Sequence, residues 1–490
     1  MASTDRRSHY QLTFVVLATA VAAFAMLQSL VTPVLAEIQT DLHTDQTTVT
    51  WVLTAYLLSA SVFTPIMGRV GDKVGKERML VVALVALAVG SLIAALAGSI
   101  GPMIIARVIQ GVGGGVLPLS FGIIRDEFPE KKIAGAVGSI ASLAAVGAGA
   151  GLVLAGPIVD AFNYHWLFWF PMIITAAAAI AAAVFVPESP VRTPGRISVL
   201  PAVLLSAWLV ALLLALSEGE VWGWTSGRVI GLVVAAVVLA IAWVMVEQRS
   251  AAPLIDMTMM RLPAVWTTNL VALLVGFGMY ASFGFLPQFT QTASSTGYGF
   301  GASITQSGLI LLPTAFTMFV VGLYSTRAAR QIGPKWVVVI GCLISAASYA
   351  IIALAHDHEW QIYVATSIMG IGTGLVYACL SNLIVAAVPP EQTGVASGMN
   401  ANIRTIGGSI GAAVMASIIT ARVFPDGLPK ESGYTNGFLA LAIVLVAAAA
   451  VGLVIPSFER RVIEEHLVGE PEHAELGIVA AGTLIGDKSE

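Results

Sequence analysis

About fourteen runs of roughly 18 or more predominantly apolar residues fill most of this chain, and no other feature limits its fold so tightly. A helix of ~20 residues crosses a ~30 Å hydrocarbon layer, so each run reads as a transmembrane helix. The runs begin near Leu12, Val49, Met79, Pro102, Ala134, His165, Ile197, Arg228, Val265, Ser303, Lys335, Gln361, Ala396 and Asn436. A composition 57% hydrophobic and 11% charged excludes a soluble globular protein of 490 residues. The fold class is therefore an all-α polytopic membrane protein. Cys342 and Cys379 lie inside apolar runs, where free cysteine is a small packing residue rather than a metal ligand.

The loops set an orientation. Arg6, Arg7, the cluster from Arg69 to Arg78, Arg125, Lys131, Lys132, Arg192, Arg196, Arg249, Arg261, Arg327, Arg330, Lys335, Arg460 and Arg461 fall on one side. The other side carries Glu37, Asp41, Asp45, Asp160, Glu218, Glu220, Asp357 and Glu359, with only Arg228, Arg422 and Lys430 as bases. The positive-inside rule then predicts both termini in the cytoplasm of a bacterial cell and the protein in its plasma membrane. The first run exceeds the ~7–15 apolar residues of a signal peptide, so no cleavage is expected after Ala36. Residues 457–490 are acidic and patternless, which predicts a disordered cytoplasmic tail.

Three elements recur about 260 residues apart. Gln110–Gly115 recurs as Met369–Gly374, Gly75 as Gly333, and the pair Gly147 and Gly151 as Gly407 and Gly411. This register pairs the second run with the tenth and the fourth with the twelfth. Two related six-helix halves follow, over 1–190 and 263–456, with two helices inserted between them over 191–262. Parallel repeats of this kind are a transporter arrangement, with the substrate site at their interface near the midplane. The second copy is degenerate: Arg330 replaces Asp72, and Thr366 replaces Arg107.

Between the second and third runs lies Gly68-Arg-Val-Gly-Asp-Lys-Val-Gly-Lys-Glu-Arg78, a short polar loop that reads as a hinge or latch rather than a catalytic site. Its glycine spacing fails the phosphate-binding P-loop pattern, so no nucleotide site is implied. The pattern Gly-x-x-x-Asp-x-x-Gly-Lys-x-Arg resembles the signature loop of the major facilitator superfamily. That resemblance implies a cytoplasmic gate of Gly68, Asp72, Gly75, Lys76, Arg78, Arg125 and Asp126, in which Asp72 pairs with Arg78 and with Arg125-Asp126. The plainer alternative is a solvated loop with weak surface pairs.

Arg107 interrupts an otherwise uncharged run and is followed by Gln110-Gly111. A guanidinium at membrane depth costs ~2.5–3.5 kcal/mol or more and is functional by default. The bland reading is a side chain snorkelling from roughly 8 Å below the helix end. The Arg-x-x-Gln-Gly pattern matches the superfamily's fourth helix, which implies a coupling role. Gly138, Gly147, Gly151 and Gly156 space the fifth run for close helix packing. They also resemble the fifth-helix motif of the exporting, antiporter branches, although Leu152 and Ala155 depart from it. In the thirteenth run, Ser397–Gly408 resembles the fourteen-helix drug:proton antiporter family. Asn400, Asn402 and Arg404 there, with Gln28, Tyr377 and Asn382, are cavity candidates; the bland reading of each is a helix-packing hydrogen bond.

That family usually carries an acid in its first helix, and here the position holds Leu27 or Gln28. All 28 acidic residues fall in loops, tails or span ends. Glu37, Asp126 and Asp160 remain as proton-carrier candidates, each with a solvated interface charge as its alternative. By resemblance, the missing acid points to neutral or anionic cargo. The expected function is secondary export of amphipathic small molecules in exchange for protons, by alternating access. The expected partners are the bilayer, a small-molecule substrate and protons; no cofactor, metal, nucleic acid or second subunit is expected. A facilitator or importer of a metabolite and a non-transporting sensor are the competing readings. An enzyme is disfavoured, because no His, Asp, Glu, Ser or Cys cluster converges at membrane depth.

Overall fold

The computed structural model describes residues 2–188, 198–250, 253–422, 424 and 428–456, and among them it holds no β-strand. Arg192, Arg196, Arg460, Arg461 and the tail expected over 457–490 lie outside the described residues. Fourteen helices are long and apolar enough to cross a membrane. The first six are α1 (Ala2–Leu30), α2 (Gln46–Val74), α3 (Lys76–Ala95), α4 (Ile100–Glu127), α5 (Glu130–Ala161) and α6 (Trp166–Phe185). Then come α7 (Val199–Trp222) and α8 (Gly227–Arg249). The last six are α9 (Pro263–Gln291), α10 (Ile304–Ile332), α11 (Pro334–Leu354), α12 (Glu359–Ala387), α13 (Thr393–Thr420) and α14 (Glu431–Gly452). Hydrocarbon offers the backbone no hydrogen bonds, so each apolar run must satisfy its own amides and carbonyls as a helix.

The repeat is visible in the packing. Gly147 and Gly151 of α5 lie against the backbone of α1 at Ala22 and Met26. Gly407 and Gly411 of α13 lie in the same way against α9 at Leu273 and Phe277. A methyl group at any of the four would collide with a main-chain carbonyl, so helix contact there requires glycine. Two six-helix halves result, plus the inserted pair α7 and α8, which is the fold the sequence predicts.

The halves meet along two seams, α2 with α13 and α5 with α10. Gly398 rests on Thr64 and Pro65 at the first seam, and Gly138 sits beside Ser325 and Thr326 at the second. The inserted α7 lies along the α2–α13 seam: Leu205, Leu209 and Leu213 join a core with Val395, Met399 and Ile406. Its Ser217 hydroxyl is 2.9 Å from that of Thr54. Only 17% of the apolar window of α8 is buried, against 72% for α12, so α8 faces lipid while α12 is a core helix.

Two local expectations change. The polar loop expected over Gly68–Arg78 is almost entirely helical: α2 runs to Val74 and α3 starts at Lys76. Only Gly75 breaks the path, with φ 130° and ψ 126°, a conformation that favours glycine. Polar side chains permit helix once they find partners, and Asp72 and Lys76 do. In α4 the continuous span expected is interrupted by a 3-10 turn over Val112–Gly115, where glycines pack against Leu87, Thr64 and Met67. The matching Gly370–Gly374 segment of α12 stays α-helical.

Candidate functional site

The face carrying Arg69–Arg78 is sealed by a buried charge cluster. Asp72, at the end of α2, accepts hydrogen bonds from the backbone N–H groups of Gly394 (3.3 Å) and Val395 (3.0 Å). These amides belong to the first turn of α13, where helices leave N–H groups without internal partners. Lys76 Nζ stands 3.6 Å from Asp72 Oδ1 and donates to Asp126 Oδ2 at 2.7 Å. All three side chains are fully buried. Arg125 donates to the Val385 carbonyl and to Thr393 Oγ1, the latter at 2.9 Å. The cluster thus ties α2, α3 and α4 of one half to α12 and α13 of the other.

The expected pairing of Asp72 with Arg78 and with Arg125-Asp126 is corrected by this geometry. Arg78 lies past the Gly75 break and bonds Glu188 at 3.0 Å, in a solvent-exposed pair. Arg125 spends its donors on α12 and α13, and Asp126 shares Lys76 with Asp72. Gly68 abuts the Gly394 backbone so closely that a Cβ would overlap it. Gly122 leaves room for the Lys76 stem: a Cβ there would stand 2.6 Å from Lys76 Cδ. Gly394, Val395, Thr393 and Gly122 escape sequence reasoning, because they contribute backbone or empty space rather than chemistry.

Between the halves lies a cavity of about 230 Å³. Gln28, Tyr56 and Arg107 line it from one half, and Tyr280, Phe283 and Tyr377 from the other. Toward the sealed face it continues into a pocket of about 70 Å³ bordered by Asn402 and Arg404. Arg107 is fully buried, which removes the snorkelling alternative. Its Nε donates to the Val52 carbonyl at 2.9 Å and its Nη1 to Gln110 Oε1 at 2.6 Å, while its Nη2 has no partner. Gln110 is fixed by Ser91 Oγ at 3.0 Å. The guanidinium carbon lies 4.4 Å from the centroid of the Tyr56 ring, a cation–π distance. Gly111 packs on Ser59, bringing α4 against α2.

Arg404 is held in a similar way. Its Nη2 donates to the Tyr377 hydroxyl at 3.0 Å, its carbon lies 4.2 Å from that ring's centroid, and its Nε is unpartnered. Both polar atoms of the Asn402 amide are buried without partners. Two expected cavity residues are not at the cavity. Asn400 turns to α9 and donates to Asn269 Oδ1 at 2.9 Å, and Asn382 donates to the Ala378 carbonyl of its own helix at 3.1 Å. Tyr56 and Tyr280 are among the cavity residues that sequence reasoning missed; no spacing signal links Tyr56 to Arg107 on a different helix.

The antiporter-motif glycines divide. Gly147 and Gly151 pack within their own half, whereas Gly138 and Gly156 face α10, Gly156 against Thr305. The three proton-carrier candidates sit at the two ends of the molecule, and none lines the cavity. Asp126 belongs to the buried cluster. Glu37 and Asp160 are exposed on the opposite face. Partial burial, reinforced by the charges of Asp160 and Asp41, holds the Glu37 carboxyl above the usual glutamate value.

The sequence model of the Major Facilitator Superfamily matches residues 17–412, and a second match covers 268–481. The chain belongs to the major facilitator superfamily. It is 29% identical over 430 residues to the tetracenomycin C resistance and export protein of Streptomyces glaucescens, covering 86% of this chain and 78% of that one. It is 28% identical to the multidrug transporter protein MdtP of Bacillus subtilis, covering 76% and 69%. A multidrug resistance protein B homolog of Mycobacterium tuberculosis is 27% identical, covering 85% and 84%. All three relatives are named for drug resistance, multidrug transport or export. Among solved structures, the human organic anion transporter MFSD10 (TETRAN) shares the fold at a TM-score of 0.67 and 17% identity, covering 91% of this chain and 99% of that one.

Proposed function

We propose that this protein exports amphipathic small molecules across a bacterial cytoplasmic membrane, in exchange for protons, by alternating access of one central cavity. The observation that carries this reading is the cavity itself. It is apolar with a few convergent polar groups, it lies between two repeat-related halves, and one end is shut by the Asp72–Lys76–Asp126 cluster. The shut face is the basic one, which the positive-inside rule makes cytoplasmic. The relatives named for drug resistance and export support the direction and the cargo class.

In this scheme Asp72 is the latch. A carboxylate at a helix N-terminus stabilises by up to ~2 kcal/mol in partly buried geometry, and stranding a buried charge costs roughly 3–5 kcal/mol. Neutralising Asp72 or Asp126 therefore releases α13 and opens the cytoplasmic face. Glu37 and Asp160 are the proposed proton entry groups on the outer rim, and Asp126 is the group that discharges inside. Arg107, fixed by Gln110 and Val52, reads cavity charge and passes it to α2 and α4. One chain supplies both walls of the cavity, so the working unit is a monomer.

The test uses everted membrane vesicles with an acid interior. A panel of cationic, neutral and anionic dyes is added, and dissipation of the gradient is followed with a pH-sensitive fluorophore. Export by proton exchange predicts dissipation by particular compounds, abolished by a protonophore and lost in Asp72→Asn. Compound accumulation that ignores the pH gradient would refute the proton half and leave export in place.

A further inference from the structure

We infer that the cargo is an amphipathic organic anion, its charge met by Arg107 of one half on the cavity wall and by Arg404 of the other in the inner extension. This rests on the export reading above and adds the charge class. Arg107 lines the cavity and Arg404 its inner extension, and among the described residues no carboxylate lines either. Among the described residues neither arginine forms an ion pair; their partners are a backbone carbonyl, an amide oxygen, a phenol and two aromatic faces. Guanidinium stays ionised in proteins, so both positive charges are buried without a counter-ion. Buried charge of that kind is costly unless something pairs with it.

The spare hydrogen-bonding capacity has a sign. Arg107 Nη2 and Arg404 Nε are unpartnered donors, each on a side chain that is at least nine-tenths buried. Tyr56, whose ring packs on Arg107 and whose hydroxyl is unpartnered, and the unpartnered Asn402 amide line the inner pocket with Arg404. A carboxylate or sulfonate supplies the acceptor lone pairs that these groups lack, as charge-assisted hydrogen bonds. A cationic drug would meet two like charges and no acid. Phe24, Leu53, Leu57, Met279, Phe283 and Met318 provide an apolar wall for the rest of the molecule. Outward passage of an anion also moves negative charge away from a negative interior, so the membrane potential adds to any proton gradient.

Binding decides the matter. Purified full-length protein in lipid nanodiscs, with empty discs subtracted, is titrated with two probes that share one aromatic body. 8-Anilinonaphthalene-1-sulfonate is the anion, and N-phenyl-1-naphthylamine is the same scaffold without the sulfonate. Ethidium serves as the cation. The expected result is an anion affinity about tenfold or more above that of the neutral probe, with ethidium weakest. Arg404→Gln should erase most of that preference while leaving the neutral probe within about twofold, the difference expected when only charge-assisted bonds are lost. Arg404→Gln is the deciding variant, because Arg107→Gln disturbs a fully buried network and can fail to fold. Equal affinities for the two matched probes overturn the inference. So does a preference for ethidium, or an anion preference that survives Arg404→Gln. The same probes in everted vesicles separate the two readings. Accumulation of the neutral or cationic dye without the anion refutes the anion site and keeps export. Arginine-dependent anion binding with no accumulation of any probe refutes export and keeps the site.

Discussion

The two seams between the halves are related by the repeat, yet charge locks only one of them. Along α2–α13, Gly68 meets Gly394, and Asp72 caps Gly394 and Val395 inside a fully buried cluster. Along α10–α5, Thr326 and Arg330 occupy the equivalent places. Thr326 Oγ1 bonds the Ala134 carbonyl at 3.3 Å, and the exposed Arg330 reaches the Lys131 carbonyl at 3.5 Å. A guanidinium cannot accept from helix N–H groups, so the second copy cannot cap α5 as Asp72 caps α13. A repeat therefore conserves how helices touch without conserving what holds them shut. The locked seam is also the one along which the inserted α7 lies, so its opening must carry that helix along.

The largest expected effect is at the lock. Asp72→Asn should lower export by more than about 100-fold, in line with a loss of roughly 3–5 kcal/mol when a buried charge partner is removed. Hydrogen exchange at the Gly394 and Val395 amides should rise in parallel; unchanged exchange would mean the latch is not there. Next comes the cavity arginine against its repeat counterpart. Arg107→Ala should cut dye export about tenfold or more, as befits an ionisable residue at membrane depth. Thr366→Ala, where the hydroxyl bonds only the Tyr363 carbonyl of its own helix, should stay within about twofold. Comparable losses at both positions would erase the proposed asymmetry.

The glycine contacts should behave alike in the two halves. Gly147→Val and Gly407→Val each push a side chain into a neighbouring backbone, and each should destabilise by about 1–3 kcal/mol, read as lower melting temperature in detergent. A large difference between them would show that the halves are not equivalently packed. Arg330→Ala should cost no more than about 1 kcal/mol, because its contact is exposed and long.

The smallest effect is expected at Glu37. Its carboxyl is held above the ordinary 4.5, so folded-state stability should fall as pH rises from that value through the raised one. Glu37→Gln should flatten this slope and raise the melting temperature slightly at neutral pH. An identical pH profile in the variant would show that neither burial nor Asp160 and Asp41 act on this group.

Much of the fold was legible because its signals are local. Apolar run length marks the spans, and the recurring glycines mark close helix contacts, since only glycine lets two backbones approach so closely; that the partners are α1 and α9 came from the structure. Arg107 announced itself as a charge that hydrocarbon would not tolerate unpaired. The site was less legible. Asn400 and Asn402 are two residues apart on one helix, yet one meets Asn269 and the other the inner pocket. Their phase on α13 cannot be read without the neighbouring helices. The partners of Asp72 were hidden for another reason: Gly394 and Val395 offer only main-chain N–H groups, which every residue but proline has.

Composition, run length and glycine spacing, read alone, determined that this chain is a fourteen-helix membrane protein built from two related halves, because burial in lipid and close helix contact are decided residue by residue. Only the tertiary structure decided that Asp72 caps α13, that Lys76 serves two carboxylates, and that Arg107 lines the cavity and Arg404 its inner extension with no carboxylate among the described residues lining either. Those facts depend on distances between helices far apart in sequence, and a charge has no physical meaning for binding until the groups around it are known.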